Sequence, residues 1–282
     1  MAAKGLKIFI SVDMEGIGGI TSWEEMDRDV LRCKELMTEE TNAAIRGIRR
    51  SGERVDEIRV CDSHSGGQNI LIEKLDPAAD LIQGSPRPEY MIHSIDRSFD
   101  LLMCIGYHAR GGHLRAQMDH TYTGWPFQEV RLNGRPMAEY DFNAGVAGER
   151  GVPCGLVAGD DTFCAYAKKV TPGVLAVATK VAISRYAARN FPVARVRGEL
   201  EAKAEEAVLN RRAFRPHRGR FPATLEFKLG DTGMAEAISF IPGTRRRDGQ
   251  TVAFPGVKNW KDVYGWINVC ARVTSSLRKA GG

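Results

Sequence analysis

Short, nearly continuous apolar runs recur through the first 180 residues, each followed by a longer amphipathic or glycine-rich stretch. They fall at 6–12, 57–61, 80–83, 101–105, 128–132, 154–157 and 174–177. Apolar runs of this length, without polar alternation, belong to strands buried on both faces. Such strands need helices on either side, and the stretch 24–50 supplies one, with Val30, Leu31, Met37 and Ile45 set among charges. A short helix is expected at 71–75 and a small-residue helix at 143–148. The fold class is therefore α/β, a mostly parallel sheet flanked by helices.

Near residue 182 the chain changes character. A charged helix is predicted over 193–211, then an arginine- and proline-rich linker, a strand at 224–229, a helix at 234–239, a strand at 252–254 and a final helix at 259–277. This divides the chain into an α/β domain at 1–182 and a smaller α+β domain at 183–282. The length of 282 residues suits one large domain or two smaller ones.

Charge follows the same division. Residues 183–282 carry 19 Lys/Arg against 9 Asp/Glu, and residues 1–182 carry 21 against 26, for a net +5. The arginines at 211, 212, 215, 218, 220 and 245–247 read as a solvated face or a subunit contact. No aromatic-interleaved RNA motif or helix-turn-helix pattern accompanies them, so no nucleic-acid partner is expected. The six cysteines are scattered without a C-x-x-C pair, which points to reduced thiols in the cytoplasm. The first apolar run meets Asp13 and Glu15 too soon for a signal peptide, and no run approaches the roughly 18 apolar residues of a membrane span.

The chain has no G-x-S-x-G elbow, phosphate-binding P-loop, H-E-x-x-H helix or zinc-ribbon pattern. The glycines at 16, 18 and 19 fail as a dinucleotide loop because the third glycine of G-x-G-x-x-G would fall on Thr21. What the strands do deliver is acids and imidazoles. Asp13 and Glu15 follow the first strand at i and i+2, so both carboxylates can face one point. His64 follows the second strand and His108 follows the strand at 101–105. In open α/β sheets ligands bind beyond the carboxyl ends of the strands. Three strand ends carrying metal-competent side chains point to a metal site. His120 lies in a polar loop and Glu139 shortly before the small-residue helix, and both suit such a site. His93, His113 and His217 have no such placement. Asp62, Asp119 and Asp160 are expected to orient ligand imidazoles.

At these residues the chain resembles the zinc-dependent D-aminopeptidases encoded with bacterial dipeptide transporters. The motifs are Ser-Val-Asp-Met-Glu-Gly at 11–16, Asp-Ser-His-Ser at 62–65, Gly-Tyr-His-Ala at 106–109 and Asp-His-Thr at 119–121, with Glu139, Asn143-Ala144-Gly145 and Val-Ala-Gly-Asp-Asp at 157–161. The resemblance is dense over residues 6–185 and thinner afterwards, where Pro242-Gly243-Thr244 is the clearest echo. It implies two zinc ions per subunit, with Asp13 shared by both metals and Glu15, His64, His108 and Glu139 as the other ligands. It further implies His120 as the catalytic histidine, described in the family as the nucleophile. Substrates would be short peptides with an N-terminal D-amino acid, notably D-Ala peptides. The assembly would be a homodecamer of two stacked pentamers around an inner chamber. The chain departs from the family pattern at Gly66-Gly67-Gln68 and Tyr140-Asp141, which leaves ligation intact and bears on substrate preference.

Acid/base work suits His120 better than direct attack, because a neutral imidazole is a modest nucleophile and metal-activated water would stand beside it. Two other readings fit the same residues. One is a dinuclear amidase or phosphoesterase with a different substrate. The other is a non-catalytic, metal-dependent binding protein whose basic half holds an anionic partner.

Overall fold

The computed structural model describes residues 4–278. In chain order the elements are β1 (Leu6–Val12), α1 (Trp23–Arg28), α2 (Val30–Arg50), β2 (Val55–Asp62), β3 (Ala79–Ile82), β4 (Leu101–Tyr107), β5 (Phe127–Leu132), β6 (Arg135–Pro136), α3 (Glu139–Glu149), β7 (Cys154–Asp160) and α4 (Asp161–Val170). There follow β8 (Leu175–Ser184), β9 (Ala187–Asn190), α5 (Val193–Leu209), β10 (Ala223–Leu229), α6 (Thr232–Ser239), β11 (Arg245–Arg246), β12 (Thr251–Val257) and α7 (Trp260–Arg278).

Seven strands form the main sheet in the order β3-β2-β1-β4-β7-β8-β9, all parallel except β9. Its strands are apolar throughout because both faces are covered. On β1, Ile8, Ile10 and Val12 join one core with α2 and α5, while Phe9 joins the other with α3, α4 and α7. On β4, Leu101, Met103 and Ile105 go one way and Leu102 and Cys104 the other, until the positive-φ Gly106 breaks the phase and Tyr107 joins the second core. The alternation is the period of two that a pleated strand imposes. On α2, Cys33, Met37, Ala44, Ile45 and Ile48 are buried at helical spacing.

From β1 the chain moves outward to β2 and β3, then returns to place β4 on the other side of β1. The sheet therefore has its topological switch point between β1 and β4, where the loops leave in opposite directions and open a crevice.

A second, antiparallel sheet has the order β11-β12-β10-β5-β6. The α/β class is as the sequence implies, but the sheets do not divide at residue 182. β8 runs through that point, β9 completes the main sheet, and the second sheet recruits β5 and β6 from residues 127–136. The compositional change near 182 reflects surface arginines rather than a change of core. Several of these are held within the protein: Arg211 pairs with Glu53 at 3.2 Å, and Arg247 with Glu226 at 3.4 Å.

Other differences are local. The helix expected at 71–75 is a series of turns. Its polar groups bond to α2 instead, Leu71 N–H to Thr38 Oγ1 (3.0 Å) and Asn42 Nδ2 to the Lys74 carbonyl (2.8 Å). The small-residue helix starts at Glu139 rather than at 143. Among the described residues no helix is long and apolar enough to cross a membrane.

Candidate metal centre

The crevice at the switch point gathers every residue named for it. Asp13 and Glu15 emerge from β1 against the end of β4, with Asp13 N–H bonded to the Ile105 carbonyl (2.8 Å) and Gly16 N–H to that of Gly106 (2.7 Å). The two backbones touch so closely that a side chain is excluded from either glycine. A Cβ on Gly16 would lie 2.1 Å from the Tyr107 carbonyl oxygen, and one on Gly106 (φ +72°) 2.1 Å from that of Asp13. This contact sets the β1 carboxylates beside His108, the residue after β4.

His64 arrives from β2. Asp62 at that strand's end accepts the Asn69 and Ile70 N–H groups (2.5 and 2.7 Å), which folds the loop back and fixes His64 over β1. Glu139 enters from the opposite side as the first residue of α3. His120 comes from the loop between β4 and β5.

Around this point Asp13 faces two ways. Its Oδ1 lies 3.3 Å from His64 Nδ1, which is also 2.9 Å from Glu15 Oε2. Its Oδ2 lies 3.4 Å from His108 Nε2, which is also 3.3 Å from Glu139 Oε1. Asp13 Oδ2 and His108 Nε2 are buried and make no hydrogen bond. Buried polar atoms left that way are costly unless something absent completes them. Tetrahedral donors about 2.0–2.1 Å from a zinc ion stand roughly 3.3–3.4 Å apart, which is the separation found at three of these four contacts. Three carboxylates and two imidazoles converging without a lysine or arginine among them suit a divalent cation.

The electrostatics agree. Burial and the adjoining Glu15 charge push the Asp13 carboxyl up. Burial also opposes ionisation of Glu15, but the His64 charge outweighs it and holds this group well below its usual range. Burial disfavours charge on His64 and His108 as well. Glu15 beside the first and Glu139 beside the second lift both well above the ordinary histidine value.

His108 donates Nδ1–H to the Ala109 carbonyl (2.9 Å), and His120 donates to that of Met118 (2.9 Å). Each ring thus turns Nε2 inward. Asp62, Asp119 and Asp160 do not touch these rings. They order loops instead, with Asp119 bound to Gly112 N–H (2.7 Å) and Asp160 capping α4 through Phe163 N–H (2.6 Å). The backbone carbonyls were already available for the orienting role.

His120 stacks on His108 with centroids 4.1 Å apart and planes at 11°. Its Nε2 is 3.5 Å from Glu139 Oε1 and 4.0 Å from Glu15 Oε1. It is thus close enough to join His108 and Glu139 in a cluster of metal-competent donors. Its side chain, however, is 12 % exposed against 2 % for His108, so it faces the open cavity.

Two supporting residues were not identified from sequence. Trp23 on α1 donates its indole N–H to Glu15 Oε1 (2.9 Å). Lys180 on β8 is fully buried and donates to the carbonyls of Glu15 (2.7 Å), Ile17 (2.9 Å) and Ile20 (2.5 Å). It fixes the backbone of the β1 loop behind the carboxylates. A lysine inside the apolar run of β8 was the available signal, because a buried ammonium must be bonded. Trp23 gave none.

The cluster forms the floor of a cavity of about 900 Å³, walled by Trp23, Tyr186, Trp125, Tyr122 and one face of α7. Its floor holds metal-competent side chains and its volume accommodates a small organic substrate.

Comparison with known proteins gives concordant results. Residues 6–269 match the peptidase family M55, D-aminopeptidase. A D-aminopeptidase of Bacillus subtilis (strain 168) is 34% identical over 262 residues, covering 92% of this chain and 94% of the relative. The fold is similar to that of the Zn-dependent D-aminopeptidase DppA from Bacillus subtilis, described as a self-compartmentalizing protease. The TM-score is 0.90 at 33% identity, over 96% of this chain and 98% of that one.

Proposed function

This chain belongs to the D-aminopeptidase family, and from that membership we propose that it hydrolyses short peptides with an N-terminal D-amino acid, of the D-Ala type, using two zinc ions per subunit. The observation that carries the dinuclear reading is the two-sided Asp13, with one oxygen toward His64 and Glu15 and the other toward His108 and Glu139. Asp13, Glu15 and His64 would hold one ion, and Asp13, His108 and Glu139 the other.

Bound there, zinc would polarise the scissile carbonyl and bring the pKa of water toward about 7. The protein's own part falls to His120. With Nδ1–H held by the Met118 carbonyl, Nε2 presents a lone pair to the cavity. It takes the proton of the attacking water and returns it to the departing amine nitrogen, as base and then as acid. Trp23 and Lys180 keep Glu15 in place during this cycle through its carboxylate and its carbonyl.

We place the enzyme in the cytoplasm, in keeping with six free, buried cysteines. We infer a homodecamer of two stacked pentamers. The support is the self-compartmentalizing relative and large apolar side chains left in water, Leu114 (82 %) and Phe240 (80 %). Sedimentation at micromolar concentration in moderate salt should give one large species, and a monomer would refute the assembly.

The substrate class is tested with D-Ala- and L-Ala-p-nitroanilide on purified protein of measured zinc content. Hydrolysis of the D-enantiomer at a rate at least tenfold higher is expected. Zinc-loaded protein that cleaves neither, or prefers the L-enantiomer, would overturn the proposal.

A further inference from the structure

The cavity above the zinc ligands is lined by five carboxylates, Asp13, Glu15, Asp27, Asp119 and Glu139, and by three cations, Arg87, Arg185 and Arg272. A short free peptide brings an ammonium at one end and a carboxylate at the other. The carboxylate end needs a cation that the protein has not already engaged.

Two of the three cations are engaged. Arg87 is buried and donates to the carbonyls of Asp62 (2.6 Å), Tyr90 (3.1 Å) and Gly84. Arg185 pairs with Asp119 at 3.5 Å, donates to the Asp119 carbonyl (3.1 Å) and lies over the Trp23 ring. Arg272 is exposed, and among the described residues it has no hydrogen bond or ion pair. Its charge is felt by the Tyr122 phenol.

The wall that carries Arg272 is well fixed. Asn268, Ala271, Arg272 and Ser275 of α7 line the cavity at the i, i+3, i+4, i+7 spacing of one helix face. Asn268 accepts the Tyr122 hydroxyl (2.5 Å) and donates to the Pro88 carbonyl (2.9 Å). Tyr122 in turn donates its backbone N–H to Glu139 Oε1 (2.6 Å). A single tyrosine therefore spans the distance from a zinc ligand to Asn268 on α7, and Arg272 lies about one helical turn from Asn268, roughly 6 Å along the axis. At about 3.3–3.6 Å per extended residue, a free guanidinium at that remove suits the carboxylate of a peptide only a few residues long.

We propose that Arg272 binds the C-terminal carboxylate of the peptide substrate, so that the enzyme measures its substrate from the metal centre to this guanidinium and selects short peptides. The inference rests on the D-aminopeptidase reading above. Arginine suits the task because its planar fork pairs with a carboxylate through two parallel hydrogen bonds.

The test compares D-Ala-Gly-Gly with its C-terminal amide on the zinc-loaded enzyme and on Arg272→Gln. In the native enzyme the amide should show at least a tenfold lower kcat/KM, mainly through KM. In Arg272→Gln the free acid should fall to the level of the amide, and Arg272→Lys should restore part of the difference. Equal rates on acid and amide in the native enzyme, or an undiminished preference in Arg272→Gln, would refute the role of Arg272. Hydrolysis of D-Ala-p-nitroanilide, which has no carboxylate, separates the two readings. If the native enzyme cleaves it and shows no acid preference, only the Arg272 assignment fails. If the native enzyme cleaves neither it nor the peptides, both fail.

Discussion

Asp13→Ala protein should be purified with almost no zinc and no measurable peptidase activity, the most severe outcome of any single ligand substitution. Each oxygen of this carboxylate faces a different histidine at 3.3–3.4 Å. Its removal leaves Glu15 with His64 on one side and His108 with Glu139 on the other, two donors apiece. Two donors do not make a structural or catalytic zinc site, which takes three or four from the protein. Glu139→Ala, by contrast, should empty one side and leave the other occupied. Loss of metal also removes ligand-linked stability, about 4 kcal/mol where free zinc stands at a thousand times its Kd. Zinc should therefore raise the melting temperature of the native protein and leave that of Asp13→Ala unchanged. Full metal retention in the variant would rule out a shared ligand.

His120→Ala should separate binding from catalysis. Zinc content and oligomeric state should stay near native, because the other five residues supply both sets of donors. The rate should fall by about 10²–10⁴, or roughly 3–5 kcal/mol of barrier, as expected for a lost acid/base group. Complete inactivity with a trapped acyl adduct on the native ring would instead identify His120 as the nucleophile. Because Nε2 lies 3.5 Å from Glu139 Oε1, zinc content is the deciding measurement on this variant. A variant that loses zinc along with activity would make His120 a ligand. One that keeps both would remove it from the mechanism.

The parallel sheet was legible because strands buried on both faces cannot alternate in polarity. β1, for example, begins and ends where its apolar run does. The site was legible for a related reason: Asp13, His64 and His108 each sit just past a strand end, and parallel strands bring such ends to one edge. Glu139 and His120 were named from a helix start and a polar loop, positions that local pattern marks less sharply, because long-range packing alone delivers them. The second sheet was less legible. β5 reads as one more strand in the series, and nothing local shows that it pairs with β10 across some ninety residues of chain. The helix α4 was missed altogether, a ten-residue segment between two strands whose start is fixed by the Asp160 cap. Trp23 and Lys180 show the same limit from the side of chemistry. Each acts on Glu15 through a contact that exists only once the chain has folded.

The central claim is that two zinc ions, joined through Asp13, make this a peptidase for N-terminal D-residues. Metal-free protein titrated with zinc, with D-Ala-p-nitroanilide hydrolysis followed at each addition, tests it most directly. Activity should rise and level off at two equivalents per chain, with the L-enantiomer nearly inert throughout. A plateau at one equivalent, or hydrolysis in the metal-free protein, would contradict it.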